Sequence, residues 1–151
     1  MWTKKSIIET ISAILVFLFI YTALSKYIDF QTFTNALHKS PLLSNYAIAV
    51  GYLLPALELA TVILIIIPKT RLLGFYSALS LLTIFTIYLI YMIKFTPKLP
   101  CTCGGVISQL SWTQHIYFNL FFICITLFGI SIEKSRANIR LEISEAPNRY
   151  K

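Results

Sequence analysis

Charged residues are scarce in this sequence. They make up 13% of the 151 residues, whereas a soluble domain carries roughly a quarter. Cysteine is also sparse, since three residues in the chain exclude the dense disulfide framework of a small secreted domain. What the chain has in quantity is apolar residues, which form 57% of it and are collected into long runs. This balance indicates an integral membrane protein.

The positive charge of the chain does not point to nucleic acid. The formal net charge is +7, but the lysines and arginines fall between the apolar runs and at the termini. They form no stripe with interleaved aromatic residues, which nucleic-acid binding would favour. We therefore expect no nucleic-acid partner, and we expect the lipid bilayer to surround most of the chain.

Four apolar runs are long enough to cross a bilayer as helices. The sequence predicts spans at about 7–24, 46–67, 72–93 and 113–132, so that residues 1–132 form one transmembrane domain and residues 133–151 a polar cytosolic tail. Residues 28–37 have the apolar spacing of a short amphipathic helix at the membrane interface. The predicted fold is an all-α membrane protein, an antiparallel bundle of four transmembrane helices with a short interfacial helix after the first span.

Two small residues of the third span, Gly74 and Ala78, lie four positions apart. Small residues at this spacing lie on one face of a helix and let another backbone approach closely. The pair therefore predicts a close helix–helix contact along the third span.

The distribution of basic residues predicts the orientation of the spans. The two chain ends and the loop between the second and third spans hold nine of the thirteen, and the other two connections hold four. Basic residues favour the cytosolic side, so we expect both termini in the cytosol of a bacterium and the chain in its inner membrane. The connection at 94–112 then faces the periplasm, an oxidising compartment. The four basic residues on that side are Lys26, Lys39, Lys94 and Lys98.

Two cysteines, Cys101 and Cys103, lie in this outer connection, within Leu-Pro-Cys-Thr-Cys-Gly-Gly at 99–105. An extended pair at this spacing is near the upper limit of Cα separation for a disulfide, so a bridge needs a tight curl. A bridge that closes so short a loop stabilises the fold little, which favours redox exchange over a static clip. A third interpretation is a Cu(I) or Zn site that adds His115 to the two thiolates.

Three further residues have chemistry of their own. Glu58 lies in the middle of the second span, where an ionisable group is costly and indicates a functional acid; the alternative is a protonated carboxyl bonded to a hydroxyl of a neighbouring helix. His115 begins the fourth span and is a candidate base for the thiols, or else an interfacial ring among lipid headgroups. Cys124 falls mid-span, where we expect a buried cysteine that acts as a small hydrophobe.

Several segments resemble a known family. Leu-Ser-Lys-Tyr-Ile-Asp-Phe-Gln-Thr-Phe at 24–33, Pro-Ala-Leu-Glu-Leu at 55–59 and Pro-Lys-Thr-Arg at 68–71 resemble the DoxX-like membrane proteins. The Cys-Thr-Cys-Gly-Gly loop, with Leu-Ser-Trp-Thr-Gln-His at 110–115 and Asn119 behind it, is similar to the methylamine-utilisation MauE branch of that group.

The resemblance covers the chain except for its C-terminal tail. It implies a redox-associated four-helix protein of the bacterial inner membrane, with Cys101 and Cys103 as its thiol pair and Glu58 as its membrane acid. It also implies a thioredoxin-like periplasmic partner and a part in the maturation of a disulfide-rich enzyme subunit.

The function predicted from these observations is thiol–disulfide redox exchange at the membrane. Cys101 and Cys103 would cycle between dithiol and disulfide against the thioredoxin-like partner, one attacking and the other resolving the mixed disulfide. The electrons would pass to a quinone docked between helices or to a second soluble partner. A non-enzymatic scaffold with a static cysteine clip and a Cys/His metal-handling protein are the alternatives. The sequence does not decide whether the protein uses a quinone as a cofactor or whether it forms a homo-oligomer.

Overall fold

The helices of the chain account for nearly all of its described length. A computed structural model describes the backbone of residues 4–95 and 112–145 and the side chains of residues 4–95 and 113–136. In chain order these residues form α1 (Lys4–Ile28), α2 (Phe30–His38), a 3-10 turn at Ser44–Tyr46, α3 (Ala47–Ile66), α4 (Arg71–Phe95) and α5 (Trp112–Glu145). Four of the helices are long and apolar enough to cross a membrane. The predicted all-α membrane bundle is confirmed.

The four long helices form a closed ring. α1 and α4 each pack against both α3 and α5, so α1 and α4 stand at opposite corners. The centre is filled by apolar side chains such as Leu15, Ile65 and Phe75, which are fully buried. Large apolar side chains also point outward, among them Phe17 and Tyr117. Lipid tails cover such a surface at no cost, whereas in water it would promote aggregation.

Two helices extend further than their apolar runs predict. α1 continues through Ile28 instead of ending near 24, and α5 continues through Glu145 instead of ending near 132. On the added part of α5, Arg136 Nη1 lies 3.5 Å from Glu133 Oε2, an ion pair at helical spacing. The extensions arise because hydropathy reports the thickness of the bilayer, while the end of a helix depends on local hydrogen bonding.

The contact between α3 and α4 is unusually close. A Cβ atom placed on Gly74 would lie 2.7 Å from the backbone nitrogen of Ile65, so the predicted close contact at the small residues is confirmed. One turn further along, the hydroxyls of Thr61 and Ser77 are 2.7 Å apart and join the two helices. In the short turn between them, Thr70 Oγ1 donates to the Leu64 carbonyl at 3.0 Å.

The short helix α2 packs along the first half of α3. Its Phe33 and Leu37 are buried with Ala47, and Val50 and Leu54 of α3 pack against the same cluster. The helix is therefore present where the sequence predicts it, and it covers one end of the bundle. Its position at the membrane interface stays a prediction.

Candidate functional site

A buried ion pair joins α1 to α3. Lys26 Nζ donates to Glu58 Oε1 at 2.8 Å, and the two side chains are 12% and 9% exposed. The ammonium also donates to the Thr22 carbonyl at 3.2 Å and stands 5.9 Å from the centre of the Phe33 ring. Removal of either partner would leave the other charge buried and unpaired, which is strongly destabilising.

The local sequence explains how the two charges meet. Glu58 lies in the second half of α3, about 17 Å along the axis from Ala47 at 1.5 Å per residue. Pro55 lies inside the same helix, and because proline has no N–H it leaves the Gly51 carbonyl without its usual partner. Lys26 lies in the last turn of α1, and its long apolar stem allows the ammonium to reach inward to the carboxylate.

A cavity of about 320 Å³ surrounds this pair. Its walls come from all five helices and are mostly apolar, with phenylalanine rings contributed by α1, α2, α4 and α5. The polar and charged residues in its lining include Ser25, Lys26, Glu58, His115 and Asn119. The volume is at the lower end of the range for small-molecule sites, and an apolar wall with a few polar groups is typical of them.

Unsatisfied polar atoms are concentrated in this cavity. Among the described side chains, four buried polar atoms have no hydrogen-bond partner, and Ser25 Oγ, Glu58 Oε2 and Asn119 Nδ2 are three of them. All three residues line the cavity. By contrast, the buried Thr126, which does not line it, donates to its own helix at the Phe122 carbonyl, 2.7 Å away. Since buried polar groups are normally paired, this clustering indicates a site that receives a ligand or water.

His115 belongs to the same cavity. It is 8% exposed, and its ring stands edge-on to Phe85 with the ring centres 6.0 Å apart. The imidazole therefore lies inside the bundle, not among lipid headgroups as the alternative interpretation has it. Its predicted role as a base stays a prediction, because Cys101 and Cys103 lie outside the described residues.

The connection that carries the two cysteines is attached at the same end of the bundle as His115. It leaves α4 after Phe95 and enters α5 at Trp112, one helical turn before His115. The cavity thus lies close to the point where the connection joins α5. Of the polar residues in the cavity, His115 is the nearest to the cysteines in the sequence, 12 positions after Cys103.

Cys124 is not buried as predicted. Its side chain is exposed on the outer face of α5, beside the apolar side chains of Ile14, Phe121 and Phe128. The prediction was wrong because a mid-span position fixes the depth of a residue but not the face of the helix on which it lies. Cys124 is thus directed away from the cavity.

A metal site is not formed by the residues that the structure describes. Among them, no group of three or more His, Cys, Asp or Glu side chains is placed to hold an ion. The predicted set of Cys101, Cys103 and His115 includes two residues outside that part of the chain.

Lys26 and its neighbour Ser25 are site residues that sequence reasoning missed. The sequence pattern predicts Lys26 to be a loop charge that sets the orientation, whereas the structure places it on α1, buried against Glu58. The available signal was Glu58 itself, because an ionisable group inside a membrane is normally paired. Lys26, two residues after the end of the first apolar run, is the basic residue nearest to that span in the outer connections.

The fold and the site define a class of protein. The chain is a small multi-pass membrane protein. Inside its helical bundle it has a buried ion pair and a mostly apolar cavity with a few polar groups in its lining. A family model described as methylamine utilisation protein MauE matches residues 4–132, and the chain belongs to the MauE family, as its motifs predict. No curated protein and no solved structure matches it.

Proposed function

We propose that this chain is a membrane thiol–disulfide redox protein in which Cys101 and Cys103 exchange electrons with a thioredoxin-like partner. The observation that carries the proposal is the cavity with buried polar groups near the attachment point of the cysteine-bearing connection. Buried ionisable groups inside a membrane bundle are costly and typically functional. The MauE family match supports the proposal, because it covers residues 4–132 and so includes the connection that carries Cys101 and Cys103.

The proposed exchange needs no reactant other than the cysteine pair of this chain and the disulfide of the partner. One cysteine thiolate of the pair attacks the disulfide of the partner and forms a mixed disulfide, and one partner sulfur leaves as a thiolate. The second cysteine then attacks the mixed disulfide. The chain is left with a Cys101–Cys103 disulfide and the partner with two thiols. His115 accepts a thiol proton in this scheme, and the reverse sequence runs by the same steps.

The proposed orientation has Cys101 and Cys103 outside the cytosol and both termini inside. It rests on the excess of basic residues on the other side of the chain. The burial of Lys26 beside Glu58 strengthens the asymmetry, since this lysine is one of the four counted on the outer side and is not exposed there. In this orientation the pair meets periplasmic proteins in an oxidising compartment.

A redox titration of the pair tests the proposal. In membranes equilibrated with defined dithiol buffers, a mass-tagging thiol reagent is expected to report one reversible two-electron transition of Cys101 and Cys103. The Cys101→Ser variant is expected to lose it entirely, because a single thiol cannot form the intramolecular bridge. The Cys124→Ala variant is the matched control and is expected to keep the transition, because Cys124 lies on the outer face of α5. A membrane-impermeant form of the reagent, added to intact cells, reports whether Cys101 and Cys103 lie on the periplasmic or the cytosolic side of the membrane.

Two results would contradict redox exchange. A pair that stays oxidised at every accessible potential would indicate a static clip and a scaffold function. A pair that resists tagging until a chelator is added would indicate the Cys/His metal site. Tagging by the impermeant reagent only after lysis would reverse the proposed orientation.

A further inference from the structure

The composition of the cavity restricts what it can hold. Its lining is mostly apolar, which disfavours a hydrophilic solute. Its two opposite charges are already paired with each other through Lys26 Nζ and Glu58 Oε1. An ionic ligand would therefore bring an uncompensated charge into a buried site, which is strongly unfavourable. A neutral molecule with an apolar body meets neither penalty.

The unsatisfied atoms define the polar part of that molecule. Glu58 Oε2 is an acceptor that lacks a donor, Asn119 Nδ2 is a donor that lacks an acceptor, and Ser25 Oγ can act as either. Asn119 is 4% exposed, so water at the protein surface does not satisfy it. The site can thus pair with a ligand oxygen that is a carbonyl in one state and a hydroxyl in another.

Flat aromatic ligands fit the remaining walls. Phe19, Phe33, Phe85 and Phe118 line the cavity from four different helices, and aromatic rings pack favourably against one another edge-on or offset. A planar ring with oxygen substituents and an apolar tail satisfies the walls and the polar groups together. Such a molecule reaches a cavity inside a membrane bundle by dissolving in the bilayer.

We propose that this cavity binds a membrane quinone and its quinol, with Asn119 and Ser25 donating to the ring oxygens and the Glu58 carboxylate accepting from a hydroxyl of the quinol. The redox part of the proposal rests on the thiol exchange proposed above, while the binding part does not. When the Cys101–Cys103 dithiol is oxidised to the disulfide, it releases two electrons and two protons. Reduction of a quinone to a quinol takes up the same number of each. In this scheme Glu58 and His115, which both line the cavity, take up and release those protons.

Direct binding is the test. The full chain is reconstituted in nanodiscs of quinone-free lipid, and decylubiquinone and a short-tailed menaquinone are titrated against empty nanodiscs. We expect saturable binding of at least one of them. Asn119→Leu is expected to weaken it about tenfold, the effect of losing one buried hydrogen bond. Ser25→Ala is the second variant, in case the leucine disturbs folding, and is expected to weaken binding by a smaller factor. Thr126→Val, on the same helix but outside the cavity, is expected to change affinity less than twofold.

The outcomes separate the two proposals. No saturable binding, or equal binding by wild type, Asn119→Leu and Ser25→Ala, would mean partition into lipid only and would overturn the quinone site. The Cys101→Ser, Cys103→Ser double variant removes thiol exchange and leaves the cavity intact, so it is expected to bind quinone like the wild type. Quinone binding without a cysteine redox transition would uphold this inference and reject the thiol function. A cysteine transition without quinone binding would do the reverse.

Discussion

Replacing Lys26 by methionine is expected to destabilise the bundle by about 3–5 kcal/mol, because it leaves the Glu58 carboxylate buried without its counter-charge. The Lys26 ammonium contacts Glu58 Oε1 at 2.8 Å and also donates a hydrogen bond to the Thr22 carbonyl of α1. Glu58→Met is expected to have an effect of similar size, since it strands the ammonium instead. Unfolding by increasing SDS in mixed micelles, followed by circular dichroism, gives the free energy of unfolding for each variant.

The double variant distinguishes a buried ion pair from two independent contacts. Lys26→Met combined with Glu58→Met removes both charges together and is expected to recover most of the lost stability, since an apolar pair of similar volume often replaces an ion pair without loss. Lys39→Met is the matched control, because Lys39 is exposed near the same end of the bundle, and it is expected to change stability by less than about 0.5 kcal/mol. Additive losses in the double variant would show that the charges do not depend on each other.

The sequence predicts the fold well because the bilayer imposes it. A membrane-spanning helix requires about 20 apolar residues, and the four runs of this chain meet that requirement without ambiguity. The same constraint allows Glu58 to be identified from the sequence as a candidate site residue, since one acid in an otherwise apolar run is rare and costly. Two of the most informative features of the molecule were thus accessible from hydropathy and depth alone.

Hydropathy could not predict the partner of Glu58. The apolar run of the first span ends near Leu24, so the sequence predicts that Lys26 lies in a loop and acts as an orientation signal. In the structure α1 continues through Ile28, which keeps Lys26 on the helix within reach of α3. A lysine ends an apolar run whether it meets water or a carboxylate. The one-dimensional pattern therefore cannot distinguish a solvated lysine from a buried one.

The cavity and the face of Cys124 depend on three-dimensional packing. The cavity is formed where α2 and all four long helices meet, and its lining comes from distant parts of the chain. Asn119 and His115 share a helical face by their spacing, but that spacing does not show that the face points inward. The same lack of rotational information led to the wrong prediction for Cys124. Periodicity is weak in helices that are apolar all round, because lipid accepts the same residues as the core.

Adding one methyl group at Gly74 is expected to destabilise the protein by about 2 kcal/mol, the second large effect that the structure predicts. A Cβ atom there would lie 2.7 Å from the Ile65 nitrogen and 2.8 Å from the Leu64 carbonyl carbon. Both are backbone atoms of α3, so the clash is relieved only if the two helices separate. Separation would also stretch the 2.7 Å hydrogen bond between Thr61 and Ser77. These losses exceed the gain of about 1 kcal/mol that alanine brings over glycine in a helix.

Gly129→Ala is the control that isolates the backbone contact. A Cβ atom on Gly129 would lie 3.1 Å from Ile11 Cγ2, the end of a side chain that shifts at lower cost than a helix backbone. Both substitutions add the same atoms and gain the same helix propensity, so the difference between their free energies of unfolding reports the cost of forcing α3 and α4 apart. We expect Gly74→Ala to be the less stable by at least about 1 kcal/mol. Equal stabilities would contradict the prediction and would mean that the α3–α4 interface yields as readily as the Ile11 side chain.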